Sequence, residues 1–298
     1  MDTRLRQGGD TGDATVDVYD LPGFRAAIVT TARAARAARR SILRAFGPVA
    51  VAPAATLPRF ALVREADGWA VRQDDALVHT GEDFPTALAT LEWHLLTAAL
   101  RDRDADFALH AAALRLPGRR ASLLLIGESG KGKTTLALAL MQRGFTPYGD
   151  DVALLDPRTL DVRSFRRAFH IRPGTWQALA ALRDPLAPWP PGSDRPDATP
   201  EGYYLPPRWA PNPAPVRWVL FPRYLPGQEP ALTPLAPAEA APALLAHSAS
   251  LSRNPAQALA TAARLTAEAR CYRCLVGDLA ASVGLIERAL AAPPATGH

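Results

Sequence analysis

Lysine is almost missing from this chain. Of its 34 basic residues 32 are arginine, and the two lysines, Lys131 and Lys133, stand within three positions of each other. Cysteine is nearly as scarce. Two cysteines in 298 residues exclude a disulfide-stapled scaffold. Cys271 and Cys274 make a single C-x-x-C, which falls two ligands short of a four-ligand zinc site. Its context is not the one a thioredoxin-like redox motif requires. Two free, partly buried thiols are the expectation. No run of 18 apolar residues occurs, so no membrane-spanning helix is expected. The first residues, MDTRLRQGGDTGDATVD, are polar and lack the apolar stretch of a signal peptide, which points to a cytoplasmic protein. No block of like charge occurs either. The net charge of +5 is mild and dispersed, so nucleic acid is not an expected partner.

What is present reads as globular: 48% apolar and 21% charged residues, with a length that suggests about two domains. No internal repeat is visible. Residues 1–16 read as a disordered tail. Residues 17–31 are expected to hold a strand, and ARAARAARRSILRAF (32–46) a basic amphipathic helix. From Arg59 the apolar period becomes two. FALVREA, Asp67-Gly68, WAVRQ, Asp74-Asp75 and ALVHT then spell an antiparallel meander with tight turns. PTALATLEWHLLTAALR (85–101) has helical spacing, with Pro85 in its first turn. Together 17–104 form a small α+β N-terminal domain.

The remainder, 105–298, reads as a second domain. HAAALRL (110–116), the turn PGRR and ASLLLIG (121–127) make a hairpin. A helix over about 133–143 follows, closed by Arg143-Gly144. FTPYGDD and VALLD are extended. The segment 183–215 is dense in proline and reads as a long irregular loop, either a wrap over the core or a lid for a peptide. VRWVLFPRYL (216–225) reads as a strand, and 237–292 as Ala/Leu-rich helix interrupted by CYRCLVG.

The two lysines lie in GESGKGKTT (127–135), which fits G-x-x-x-x-G-K-[ST]. Gly127, Gly130 and Gly132 let the backbone turn its N–H groups inward onto phosphate oxygens, with Glu128, Ser129 and Lys131 between them. The helix that begins at Lys133 adds its positive end, with Thr135 in the first turn. Lys133 is expected to reach the β- and γ-phosphates, and the Thr134 hydroxyl to face Mg²⁺. A compact ammonium fits beneath phosphates where a planar guanidinium does not, so here the arginine habit yields. The motif reads phosphates; no residue that reads a base can be picked out.

Asp150-Asp151 follows Lys133 by 17 residues, across one helix and one short strand. A right-handed crossover sets that strand parallel to the one before the loop, so the two aspartates face the phosphates. One carboxylate can hold Mg²⁺ and the other can take the proton of an attacking hydroxyl; an Asx turn is the structural alternative. If Gly118-Arg119 is the hairpin centre, paired residues sum to 237. His110 then lies opposite Gly127, beside the same pocket. FRRAFHIRPGTW (165–176) adds His170 and Arg172, either as phosphate or substrate contacts or as the finish of a strand.

These stretches together resemble HPr kinase/phosphorylase and its HPr-kinase-related relatives: LH at 109–110, the strand pair, GESGKGKTTLALALMQRGF and GDD. The close match spans about 108–156. The resemblance implies an α/β fold with a P-loop kinase core of HPr kinase/PEP carboxykinase type and a mixed sheet, here behind the small α+β domain. It implies ATP and Mg²⁺ as cofactors. It further implies Asp150 as catalytic acid/base, Asp151 and Thr134 as Mg²⁺ neighbours, Lys133 as phosphate ligand, and His110 as partner of Asp150. Thr135 replaces the glutamate typical of HPr kinases, and FRRAFHIRPGTW replaces their glycine-rich signature. Both departures set the chain nearer to relatives that accompany peptide-modification clusters, lasso-peptide ones among them. The implied activity is phosphorylation of a serine hydroxyl on a small protein or precursor peptide, with a homo-oligomer as a further possible assembly. The other readings are a non-catalytic nucleotide-binding scaffold or sensor, and a small-metabolite kinase.

Overall fold

The computed structural model describes residues 14–31, 43, 56–101, 103, 106–128, 130–180 and 202–291. The fold is mixed α/β with two mixed sheets, and the chain divides into two compact units, Met1–Arg103 and Asp104–His298. Most of 32–46, where the basic helix is expected, lies outside the described residues, as do residues 1–13 and 181–201.

In the first unit β1 (Thr15–Leu21), β2 (Phe24–Thr30), β3 (Arg59–Glu65), β4 (Gly68–Gln73) and β5 (Ala76–Gly81) form a sheet in sequence order. The β2–β3 pair is parallel and its neighbours are antiparallel. The single strand expected over 17–31 is a hairpin that turns at Pro22-Gly23, where Gly23 has φ +75°. It recruits Thr15 and Val16 from the expected tail. Asp74 and Asp75 both take left-handed φ (47° and 68°), the geometry that matches the twist of a two-residue hairpin. Helix α1 (Phe84–Arg101) starts behind Asp83, whose carboxylate accepts from the Thr86 amide at 2.9 Å. It buries Ala87, Leu91, Leu95 and Ala99 against the sheet.

The second unit contains β6 (Phe107–Leu109), β7 (Ala111–Arg115), β8 (Ser122–Ile126), α2 (Lys133–Met141), β9 (Thr146–Gly149), β10 (Ala153–Leu155), β11 (Asp161–Arg163), β12 (Phe169–Ile171) and α3 (Pro173–Ala180). After the undescribed stretch come β13 (Gly202–Tyr204), β14 (Ala214–Tyr224), β15 (Ala231–Leu235), α4 (Pro237–Leu245), α5 (Pro255–Glu268), β16 (Arg270–Val276) and α6 (Leu279–Ala291). The end of the proline-rich segment is therefore not wholly irregular: β13 pairs with β12, and β14 begins at Ala214.

The sheet runs β9-β7-β8-β14, with β16 beside β14 and β15 beyond. The β8, β14 and β16 strands are mutually parallel. The β9 strand runs the same way, because it is antiparallel to β7 and β7 is antiparallel to β8. Four strands thus deliver their C-terminal ends to one sheet edge, the place where open α/β sheets bind ligands. One face packs Leu124, Ile126, Val219 and Leu265; the other packs Leu123, Leu125, Leu138 and Ile286. Cys271 lies in the first layer and Cys274 in the second. Both are buried and free, on opposite faces of β16. Among the described residues no helix is long and apolar enough to cross a membrane.

Candidate functional site

The β7–β8 ladder pairs Ala111 with Ile126 and Ala112 with Leu125, so residue numbers sum to 237. His110 therefore arrives beside Gly127 at the end of β8. The loop after β8 turns on Gly130 (φ +81°) and Gly132 (φ +92°), conformations that side chains rarely adopt. Gly132 is the residue that caps α2, and no acidic side chain stands in the first turn of that helix. The leading amides of α2 consequently have no acceptor within the helix and carry its positive dipole end.

Lys133 is buried, with 3% of its surface exposed. Its Nζ donates to the Gly127 carbonyl (2.7 Å), the Glu128 carbonyl (3.2 Å) and His110 Nε2 (3.1 Å), and stands 3.9 Å from Asp151 Oδ1. Burial lowers its pKa, with Asp151 and Asp150 pulling the other way. Lys131 points outward, 3.9 Å from the Glu128 carboxylate, and is half exposed. Ser129 lies outside the described residues.

The bonds of His110 fix its tautomer. A carbonyl only accepts, so Nδ1 carries the hydrogen that goes to the Asp151 carbonyl at 3.1 Å. Nε2 keeps its lone pair for Lys133. Burial first, then the Lys133 charge, lowers the His110 pKa and favours this neutral form. The partners of His110 are Asp151 and Lys133.

Asp150 and Asp151 follow β9 through Gly149. A Cβ on Gly149 would fall 2.6 Å from the Phe165 carbonyl oxygen and 2.8 Å from that of Val152, so the first residue of this GDD run has to be small. The 164–167 segment is tied to the end of β9 through Phe165 N and Ser164 Oγ, both donating to the Tyr148 carbonyl. That attachment delivers Arg167, whose Nη1 donates to Asp151 Oδ2 at 2.7 Å. Arg167 is absent from the sequence expectations. Its only signal is a basic pair among 32 arginines, so composition hides it. Burial works to raise the Asp151 pKa, but Arg167, Lys133 and His110 outweigh it and hold the carboxyl below its ordinary value. Asp151 also takes a left-handed φ of 61°, which an aspartate tolerates better than most residues.

Asp150 is fully buried. Its Oδ2 accepts from the Thr134 hydroxyl at 3.0 Å, and its Oδ1 is buried without a hydrogen-bond partner among the described residues. Burial and the neighbouring Asp151 raise its pKa to about 7. An unsatisfied carboxylate oxygen beside a hydroxyl and a second carboxylate is a set of hard oxygen donors, which fits magnesium completed by phosphate oxygens.

A cavity of about 1170 Å³ opens over this cluster, larger than the usual pocket for one drug-sized ligand. Lys133, Thr134, Thr135 and Asp151 line its floor. His170 and Arg172 stand on a second wall, where the Thr175 hydroxyl meets that of Thr135 at 2.9 Å. The Arg172 guanidinium lies beside the loop, 3.5 Å from where a Cβ on Gly130 would sit. The N-terminal turns of α2 and α3 border the space, so two helix dipoles join Lys133 and Arg172 in favouring a polyanion, while the start of α6 is capped by the Asp278 carboxylate. The sequence matches no protein-family model and no curated protein.

Proposed function

We propose that the protein is an ATP- and Mg²⁺-dependent phosphotransferase with a P-loop kinase core of the HPr-kinase-related type. Its acceptor is a hydroxyl, most simply a serine, of a small protein or precursor peptide. One observation carries this reading. A buried lysine, a threonine hydroxyl, two adjacent aspartates and a histidine meet at the C-terminal edge of the parallel strands, and Lys133, Thr134 and Asp151 of this cluster line one cavity. A phosphate-gripping loop alone would serve binding. The aspartate pair adds groups for moving a proton, which is why transfer is favoured over sensing.

The geometry supports a division of labour in which Asp150 and Thr134 hold the cation. Asp150 is buried and bonded to that hydroxyl, and its Oδ1 has no hydrogen-bond partner among the described residues. Magnesium held by these two residues would supply positive charge against the charge that develops on the phosphates. Asp151 lines the cavity and is the carboxylate an incoming hydroxyl can reach. The acceptor oxygen bonds to the γ-phosphorus, the bond to the bridging oxygen breaks, and Asp151 takes the hydroxyl proton. Lys133 draws charge toward the β- and γ-oxygens. Neutral His110 moves no proton; it fixes Lys133 through Nε2 and the Asp151 backbone through Nδ1. The resemblance implied the opposite division of the two aspartates.

The test is incubation of the protein with γ-labelled ATP, Mg²⁺ and serine-containing peptides, any short peptide encoded beside its gene first, read by mass spectrometry. The expected outcome is a phosphorylated serine on one peptide. Tight nucleotide binding with no transfer to any peptide or small hydroxyl metabolite would overturn the reading in favour of a sensor.

A further inference from the structure

The phosphate loop says nothing about what lies at the other end of the ligand. Sheet order does. Lys133, Asp151 and His110 gather on the side of β8 where β7 and β9 lie, and this is the reacting end. The opposite end of a bound nucleotide must leave the loop over the other neighbours of β8, which are β14 and β16. The cavity continues there, along residues 224–230 and 276–281.

That wall differs chemically from the rest. Neither of its two segments contains a lysine or arginine. It presents Tyr224, Pro226, Pro230, Leu279 and Ala280, whereas the β12–α3 wall presents His170 and Arg172. The one helix end on this side is already satisfied, since Asp278 accepts from the Ala281 amide at 2.8 Å. An anion gains little here and a flat, uncharged ring gains much. Tyr224 is 52% exposed. Among the exposed large apolar side chains of the described residues it alone lines the cavity. It stands directly behind the phosphate loop, its Cβ 3.5 Å from where a Cβ on Gly132 would sit. The wall is also preformed. Leu225 N donates to the Val276 carbonyl at 2.9 Å, and a Cβ on Gly277 would fall 1.8 Å from the Gln228 carbonyl oxygen. The two segments are packed so closely that only glycine fits between them.

We propose that this wall is the nucleobase seat, with the Tyr224 ring stacking on the purine of the nucleoside triphosphate. The assignment rests on the phosphotransferase reading above and adds the part of the ligand that reading leaves open. Stacking on an aromatic ring tolerates any base, so Tyr224 supplies affinity and the backbone of 226–230 lies near the ring's polar edge.

The test is calorimetric titration of the full chain with Mg·ATP and, separately, with Mg·tripolyphosphate, which keeps the phosphates and lacks the base. Tyr224→Ala should weaken ATP by about tenfold or more while changing tripolyphosphate by less than about twofold. Tyr224→Phe, which keeps the ring, should bind both normally. Equal weakening of both probes by Tyr224→Ala, or of neither, would overturn the proposal. So would a loss confined to the phosphate acceptor, which would give the wall to the acceptor instead. If the unaltered protein bound neither probe, the phosphate-site reading itself would fall and this inference with it. If it bound both, a failure at Tyr224 would count against the base seat alone.

Discussion

Asp150→Asn should make the ligand-free protein more stable at neutral pH, and the gain should vanish in acid. In the folded chain the Asp150 carboxyl has its pKa raised from 3.8 to about 7, through complete burial and the neighbouring Asp151. Below about pH 4 both folded and unfolded chains carry the proton. Between about pH 4 and 7 the folded chain retains a proton that the unfolded chain has released, so stability falls as pH rises. Above 7 the folded state holds an ionised, half-unsatisfied carboxylate. The gap between 3.8 and about 7 corresponds to roughly 4 kcal/mol. Asparagine can still accept from Thr134 and has no charge to bury, so the variant should recover up to that amount at pH 8. For a domain of this size the gain is a melting temperature higher by on the order of 10 °C. The depressed Asp151 acts in the opposite sense and below its ordinary pKa, outside this window. Thermal melts of both proteins at pH 4.5 and pH 8 read the difference directly. Magnesium nucleotide should then raise the unaltered protein's melting temperature more than the variant's. Equal or lower stability of the variant at pH 8 would refute the claim that Asp150 is a strained carboxylate awaiting a cation.

Lys133→Arg should lower kcat/KM by about 100-fold or more, because a guanidinium does not fit the buried slot between two loop carbonyls and His110; steady-state kinetics on ATP measures it. Arg167→Gln should let the Asp151 pKa rise, moving the acid limb of the kcat/KM profile to higher pH, a change that a purely structural arginine would not produce. Gly149→Ala should cost roughly 1–3 kcal/mol through the close Phe165 and Val152 carbonyls, measured by urea unfolding. Cys271 and Cys274, whose thiols burial pushes up to about 11 and about 12, should resist a thiol reagent until the protein unfolds and should form no bond with each other.

The site was legible in the sequence wherever local pattern dictates geometry. The turn PGRR fixed the hairpin register, and that register alone singled out His110 from six histidines. The length of one helix and one strand brought Asp150 and Asp151 to the same edge as the loop. What local pattern cannot carry is a partner supplied from elsewhere. Arg167 reaches Asp151 only because Phe165 and Ser164 bond to the end of β9, a long-range closure without a sequence signature. Tyr224 ends a strand that reads as ordinary core, and its place behind Gly132 depends on β14 lying next to β8. Pro22-Gly23 in the first unit was a turn signal that a single-strand reading of 17–31 passed over. The split between the aspartates was likewise invisible, since adjacency fixes that they point apart but not which one faces the cavity.

The central claim is that this cluster transfers a phosphoryl group. Single-turnover transfer of labelled γ-phosphate by Asp151→Asn, beside calorimetric binding of Mg·ATP to the same variant, tests it most directly. The account predicts that Mg·ATP still binds while transfer to the acceptor falls by at least about 100-fold. Transfer at the unaltered rate by that variant would contradict it.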